Sequence, residues 1–133
     1  MPFVRISLPE SLSDQIQQTI SACVHTSLME EFNVPQDDFF HVLETLKPSQ
    51  LLHPKRYLGV DHTDNIVYIQ ITAAAGRSLE RKRKLYASIA AGISAKTEIL
   101  PGDVIIILTE NNGQENWSFG NGEIQTPEHL KNL

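Results

Sequence analysis

Two stretches of this chain repeat one another, and that repeat limits the possible folds more than any other feature. Ser7 to Pro35 and Thr72 to Pro101 enclose nearly equal lengths. Each runs from an alternating extended segment through a serine-capped helical pattern to a Pro-x-Asp turn, Pro35-Gln36-Asp37 and Pro101-Gly102-Asp103, and then to a second extended segment. A β-α-β unit makes its two strands parallel and lays the helix across one face. Two copies related by a pseudo-twofold give an α+β fold: a four-stranded mixed sheet with both helices on one face. The other face stays uncovered. An uncovered apolar face marks an association surface, so the expected assembly is a symmetric homotrimer whose sheets enclose a common core.

Local patterns set the boundaries. Phe3 to Leu8 alternates with the period of a strand, and Pro9 ends it. Ser11 or Ser13 can cap a helix in which Ile16, Ile20, Val24, Leu28 and Phe32 recur every fourth residue, reaching about Glu31. After the turn Asn33 to Asp38, Phe39 to Leu46 is extended. Lys47 to Asn65 reads as a long irregular connection with a short strand near Tyr57. Ile66 to Thr72 is a strand, Ala73 to Gly76 a small-residue corner, and Ser78 the cap of a second helix with Leu79, Leu85, Ile89 and Ile93 on one side. The basic run Arg81-Lys82-Arg83-Lys84 then falls on a solvated helix face. Val104 to Thr109 is continuously apolar, which predicts burial on both faces. The expected organisation is one domain over 1–133: repeats at 2–46 and 66–109, a connection at 47–65 and a tail at 110–133.

Several function classes drop out. With 133 residues, 41% of them hydrophobic, the chain can bury a real core. A net charge of -5 and one short basic run leave no footprint for nucleic acid. No apolar run is long enough to span a bilayer and no leader pattern precedes the fold, so a cytoplasmic protein with no membrane partner is expected. The lone cysteine, Cys23, allows no intrachain disulfide and sits in helical register as a core residue. His25, His41, His53, His62 and His129 have no ligand spacing, so no metal is expected, and the glycines around Gly120 and Gly122 do not form a phosphate cradle, so no cofactor is expected either. His53 and His62 read as exposed loop residues.

Chemistry begins at Met1-Pro2-Phe3. The small proline beside the initiator favours removal of Met1, leaving a free secondary amine on Pro2. An α-amino group ordinarily titrates at about 7.7 to 8, and an apolar pocket lowers that because desolvation disfavours the charged form. Such an amine serves as a general base near neutrality. Equally, Pro2 can open a strand where its missing N–H costs nothing.

The amino-terminal proline, the β-α-β repeat, the turn Val34-Pro35-Gln36-Asp37-Asp38, the corner Gly76-Arg77-Ser78 and the tail Glu115-Asn116-Trp117-Ser118-Phe119-Gly120-Asn121-Gly122 together resemble the tautomerase superfamily, and within it the malonate semialdehyde decarboxylase-like branch. The likeness covers essentially the whole chain, with Trp-Ser-Phe-Gly-x-Gly as its specific element. It implies a homotrimer with an active site around each Pro2. It implies that Pro2 is the acid or base, that Asp38 activates water or tunes the proline, and that Arg77 binds a substrate carboxylate. From the residues alone, Asp38 can equally be an Asx-type turn residue and Arg77 a surface charge beside a helix start. A guanidinium suits a carboxylate because its planar fork donates two hydrogen bonds. Trp117 and Phe119 would wall the pocket and keep the amine dehydrated.

The chain departs from that branch at the corner, where Ala73-Ala74-Ala75-Gly76-Arg77-Ser78 lacks the first of two arginines and is about one residue longer. Decarboxylating a 3-oxo acid leans on both cations, whereas keto-enol tautomerisation of a small 2-oxo acid asks for one cation and one amine. The resemblance therefore implies a cofactor-independent tautomerase of carboxylate-bearing substrates. A malonate semialdehyde-type decarboxylase or hydratase is one alternative, and a non-catalytic trimeric binding protein is another.

Overall fold

The computed structural model describes residues 2–126, so the state of Met1 and the position of His129 lie outside the described residues. The elements run β1 (Phe3–Pro9), α1 (Asp14–Phe32), β2 (His41–Leu46), β3 (Arg56–Tyr57), β4 (Val60–Asp61), β5 (Val67–Ala74), α2 (Leu79–Lys96) and β6 (Val104–Asn111). The four long strands form one sheet in the order β2-β1-β5-β6. β1 pairs with β2 in parallel, β5 pairs with β6 in parallel, and the two halves meet antiparallel across β1 and β5. This is the mixed sheet of two β-α-β repeats that the sequence pattern predicts.

Each helix starts on its serine. Ser13 Oγ accepts from the Ile16 amide and Ser78 Oγ from the Arg81 amide, 3.2 Å in both cases, satisfying an amide that the helix itself cannot. α1 stops at Asn33, which takes a left-handed conformation at φ 56°. The inward faces are continuous. Ile20, Val24, Leu28 and Phe32 from α1 and Leu85, Ile89 and Ile93 from α2 pack with Val4, Ile6 and Leu8 of β1 and Val67, Ile69 and Ile71 of β5 in one buried cluster. Each such side chain is worth roughly 1.5–3 kcal/mol of transfer free energy. A hydroxyl pair, Ser27 and Ser88 at 2.7 Å, ties the two helices together.

Four expectations need correction. Leu79 is 62% exposed, because the first residue of α2 precedes the turn that reaches the sheet. β6 is an edge strand, half-buried along its length with Ile107 53% exposed, so its apolar run is not covered on both faces of the single chain. The sheet face away from the helices is not uniformly apolar. By register its central strands carry Phe3, Arg5, Ser7, Tyr68, Gln70 and Thr72, and Glu44 accepts from Ser7 and Arg5, while Val42 and Ile107 lie on the flanking strands. Finally, the connection holds the short strand expected near Tyr57 as one arm of a β3-β4 hairpin, but its histidines are not free in solvent. His53 Nδ1 donates to the Pro54 carbonyl at 2.9 Å and His62 Nδ1 to the Gly102 carbonyl at 2.7 Å.

Candidate active site

The topology gathers the predicted residues at one end of the sheet. β1 begins where β5 ends, since Phe3 stands opposite Thr72, and one more step of that register brings Pro2 beside Ala73. β2 begins at the same end, with the Val4 amide donating to the Phe40 carbonyl at 3.0 Å. β6 ends there too, with the Ala75 amide donating to the Asn111 carbonyl. Pro2, the segment Asp38 to Phe40, the corner Ala73 to Ser78 and the start of the tail therefore converge although the sequence spreads them over most of its length. Pro2 itself is buried.

Asp38 ends the turn after α1, its amide donating to the Pro35 carbonyl at 3.1 Å. The half-buried carboxyl is pushed up by burial, pulled down by the positive charge of the amino terminus and by His25, and raised by Asp37. By the strand register Asp38 stands at the sheet end where Pro2 opens β1, so a cation on the processed amino terminus would act on it in the same sense. Such coupling runs both ways, because a carboxylate that is stabilised by a cation stabilises that cation equally.

Arg77 is more firmly held than a surface charge. Its Nη1 donates to the Ala74 carbonyl at 2.9 Å and its Nη2 to the Phe32 carbonyl at 3.0 Å, and the guanidinium lies 4.7 Å from the Phe32 ring centroid. Phe32 is the last residue of α1, so Arg77 satisfies a carbonyl that the helix leaves open and complements its negative end. Burial lowers its pKa, Arg81 lowers it further and Glu110 raises it. An arginine remains charged through shifts of this kind. Each Nη keeps a second N–H, and the side chain lines a cavity of about 410 Å³ with Ala75, Gly76, Ser78 and Arg81.

The tail leaves β6 on one side of the sheet and reaches the other. The Phe119 ring lies 4.8 Å from that of Phe40, at the head of β2, and 5.6 Å from Trp117. Because β6 and β2 are the two edges, residues 112–119 cross the end where β1 begins. Trp117 and Phe119 are half-buried in this crossing, and Trp117 Nε1 is buried without a partner among the described residues.

Sequence reasoning missed a histidine cluster behind Asp38. His25 Nε2 donates to the Gln36 carbonyl at 2.8 Å, His41 Nδ1 and Ser21 Oγ share a hydrogen bond of 2.8 Å, and Phe39 packs 4.6 Å from the His25 ring and 4.3 Å from that of His41. Burial, with a smaller contribution from His25, pushes the His41 imidazole down to about 4. His25 shares a helix face with Ser21 at the spacing of one turn, the available signal, but what they face comes from the next strand. The described residues hold no group of three or more His, Cys, Asp and Glu that could bind a metal, and none of their helices is long and apolar enough to cross a membrane.

A two-fold repeat of β-α-β units with its amino terminus, an acid and a guanidinium at one end of the sheet defines the tautomerase class. The matches to known proteins agree: tautomerase enzyme family models fit residues 38–120 and 2–52. The chain belongs to the tautomerase family and is a tautomerase-type enzyme. It is 41% identical over 125 residues to the probable tautomerase YusQ of Bacillus subtilis (strain 168), covering 94% of this chain and 98% of that one. The crystal structure of FG41 malonate semialdehyde decarboxylase inhibited by 3-bromopropiolate superposes with a TM-score of 0.85 at 32% identity, over 92% of each chain. A fused 4-OT described as a symmetric trimer shares the fold, with a TM-score of 0.74 at 13% identity over 92% of this chain and 94% of that one.

Proposed function

We propose that the enzyme is a cofactor-independent keto-enol tautomerase of small 2-oxo acids, with Pro2 as its acid/base. The observation that carries this is the burial of Pro2 at the sheet end shared with Asp38 and Arg77. With Met1 removed, the imino nitrogen takes the proton of the enol hydroxyl and returns one to the adjacent carbon, so the ketone forms with no net proton change. Arg77 binds the substrate carboxylate through the N–H groups that it does not spend on Ala74 and Phe32. The Asp38 carboxylate favours the protonated amine and so tunes when the proton is held. Trp117 and Phe119 keep bulk water from the nitrogen, which strengthens each of these interactions. The assembly we propose is a homotrimer, in which the open sheet face and the Ile107 edge find cover.

The test is ketonisation of phenylenolpyruvate. The enzyme, freed of Met1, accelerates it, and Pro2→Ala lowers kcat/KM by roughly 100-fold, within the ordinary contribution of a positioned base. Equal rates in the two proteins would remove the proposal. A malonate semialdehyde-type decarboxylase or hydratase is the second function, favoured by the likeness to the FG41 enzyme at 32% identity. Carbon dioxide release from malonate semialdehyde distinguishes it. An intact mass that retained Met1 would instead favour a non-catalytic binding protein, because an amide nitrogen has no basic lone pair.

A further inference from the structure

The basic run Arg81-Lys82-Arg83-Lys84 lies on the solvated side of α2, with Lys82 alone half-buried, but its four cations are not equivalent. Lys82 reaches Glu110 at 2.8 Å and Lys84 reaches Glu80 at 3.4 Å, so each lysine has an anion. No ion pair engages Arg81 among the described residues. Arg81 instead lines the cavity of about 410 Å³ that Arg77 also lines. The two residues are four apart, in the corner between β5 and α2 and in the first turn of α2, and the charge of Arg81 disfavours the charge of Arg77. Two like charges around one cavity raise the energy of the empty site, and an anion between them reverses that cost.

The two side chains differ in a way that suits a clamp. Arg77 is fixed from behind by two carbonyls and a ring, with N–H groups left over. Arg81 is exposed and in no ion pair among the described residues. The nearest carboxylate does not fill the role, since Glu110 already accepts from Lys82 and from the Gly76 amide. Around the corner itself, Ala73, Ala74 and Ala75 bring no charge.

We infer that Arg81 is a second carboxylate-binding cation, closing on a substrate carboxylate that Arg77 holds from its fixed side. It is a specificity-determining residue for the function proposed above, on which the inference rests.

The probe is 3-phenylpropanoate, a carboxylate that cannot enolise, titrated calorimetrically into the processed full-length enzyme beside its uncharged methyl ester. Arg81→Ala weakens the acid about tenfold, the scale of one charged hydrogen bond, and leaves the ester unchanged. Arg81→Lys keeps the charge without the fork and loses less. Arg83→Ala, on the same helix, binds as the wild type does. In ketonisation, Arg81→Ala raises KM by the same factor while kcat moves less than about twofold. The inference is overturned if Arg81→Ala weakens the acid no more than Arg83→Ala does, if acid and ester suffer alike, or if the wild type binds the acid no better than the ester. Failure of the tautomerase proposal would look different: ketonisation would survive Pro2→Ala while the acid-over-ester preference still depended on Arg81.

Discussion

In the first repeat the turn after the helix reads Pro35-Gln36-Asp37, and in the second Pro101-Gly102-Asp103. The two turns are built alike, down to a histidine that donates to the middle carbonyl: His25 to Gln36 at 2.8 Å and His62 to Gly102 at 2.7 Å. What surrounds them differs. The second turn lies under the β3-β4 hairpin. Asp103 is 1% exposed there, its carboxylate accepting from the Thr63 amide at 2.7 Å and from the Thr63 hydroxyl. Among the described residues the first turn has no such cover, Pro35, Gln36 and Asp37 all being exposed, and its acids continue one residue further, to the half-buried Asp38 at the sheet end where Pro2 opens β1. One acid of the duplicated scaffold holds a loop, and the other is the one that the proposed function assigns to the reacting groups. Sequence spacing alone makes the two look equivalent.

The largest contrast lies between those acids. Asp103→Ala removes the buried carboxylate that accepts two hydrogen bonds from Thr63, and denaturant unfolding should report a loss of about 3 kcal/mol, with kcat/KM per folded molecule unchanged. Asp38→Ala should do the reverse, lowering phenylenolpyruvate ketonisation by roughly 10- to 100-fold while stability moves by less than about 1 kcal/mol. Equal effects on stability would erase the division between the repeats.

Arg77 joins the repeats, because it is on the second and holds the helix end of the first. Arg77→Ala should cost about 2 kcal/mol through the lost Phe32 and Ala74 hydrogen bonds and also raise KM for a carboxylate substrate. A change in KM with no change in stability would mean that the contacts behind Arg77 are dispensable. Next in size are the middle turn residues. A Cβ on Gly102 would meet the Asp61 carbonyl oxygen at 2.6 Å, so Gly102→Ala should lose roughly 1–3 kcal/mol in thermal or denaturant unfolding. Gln36→Ala, at the uncovered equivalent, should lose under about 0.5 kcal/mol.

A smaller, pH-dependent effect separates the histidines. His41 is held down to about 4 in the folded chain, whereas an unfolded histidine titrates near 6.5. Below 6.5 the unfolded state therefore binds a proton that the native state refuses, and stability falls as pH drops from about 6.5 toward 4. Denaturant midpoints at pH 7 and pH 5 should fall further apart for the wild type than for His41→Gln. A gap of the same size in both proteins would mean that His41 is not the group responsible.

The scaffold was legible because periodicity and caps are local. Ser13, Ser78, the fourfold spacing in α1 and the alternation in β1 and β5 determine their elements through near neighbours. The misreadings share a cause, which is dependence on what lies across space. Val104 to Leu108 reads as doubly buried, but strand order makes β6 an edge. Arg81, read as one of four solvated cations, is indeed exposed, but only the corner's path shows that it also lines a cavity with Arg77. The candidate site was legible only as residue types, in Pro2, Asp38, Arg77, Trp117 and Phe119. Their convergence was not, since it needs the antiparallel meeting of β1 with β5 and a tail that crosses to Phe40.

The central claim is that the first repeat's acid is coupled to the amino-terminal nitrogen and the second repeat's is not. The direct measurement is a pH titration of the Pro2 nitrogen by NMR in processed enzyme labelled with ¹⁵N-proline, for the wild type, Asp38→Asn and Asp103→Asn. Removing the Asp38 charge should lower the midpoint, because the cation loses its neighbouring anion, while Asp103→Asn should leave it where it is. A midpoint that ignores Asp38, or that moves equally in both variants, would contradict the account.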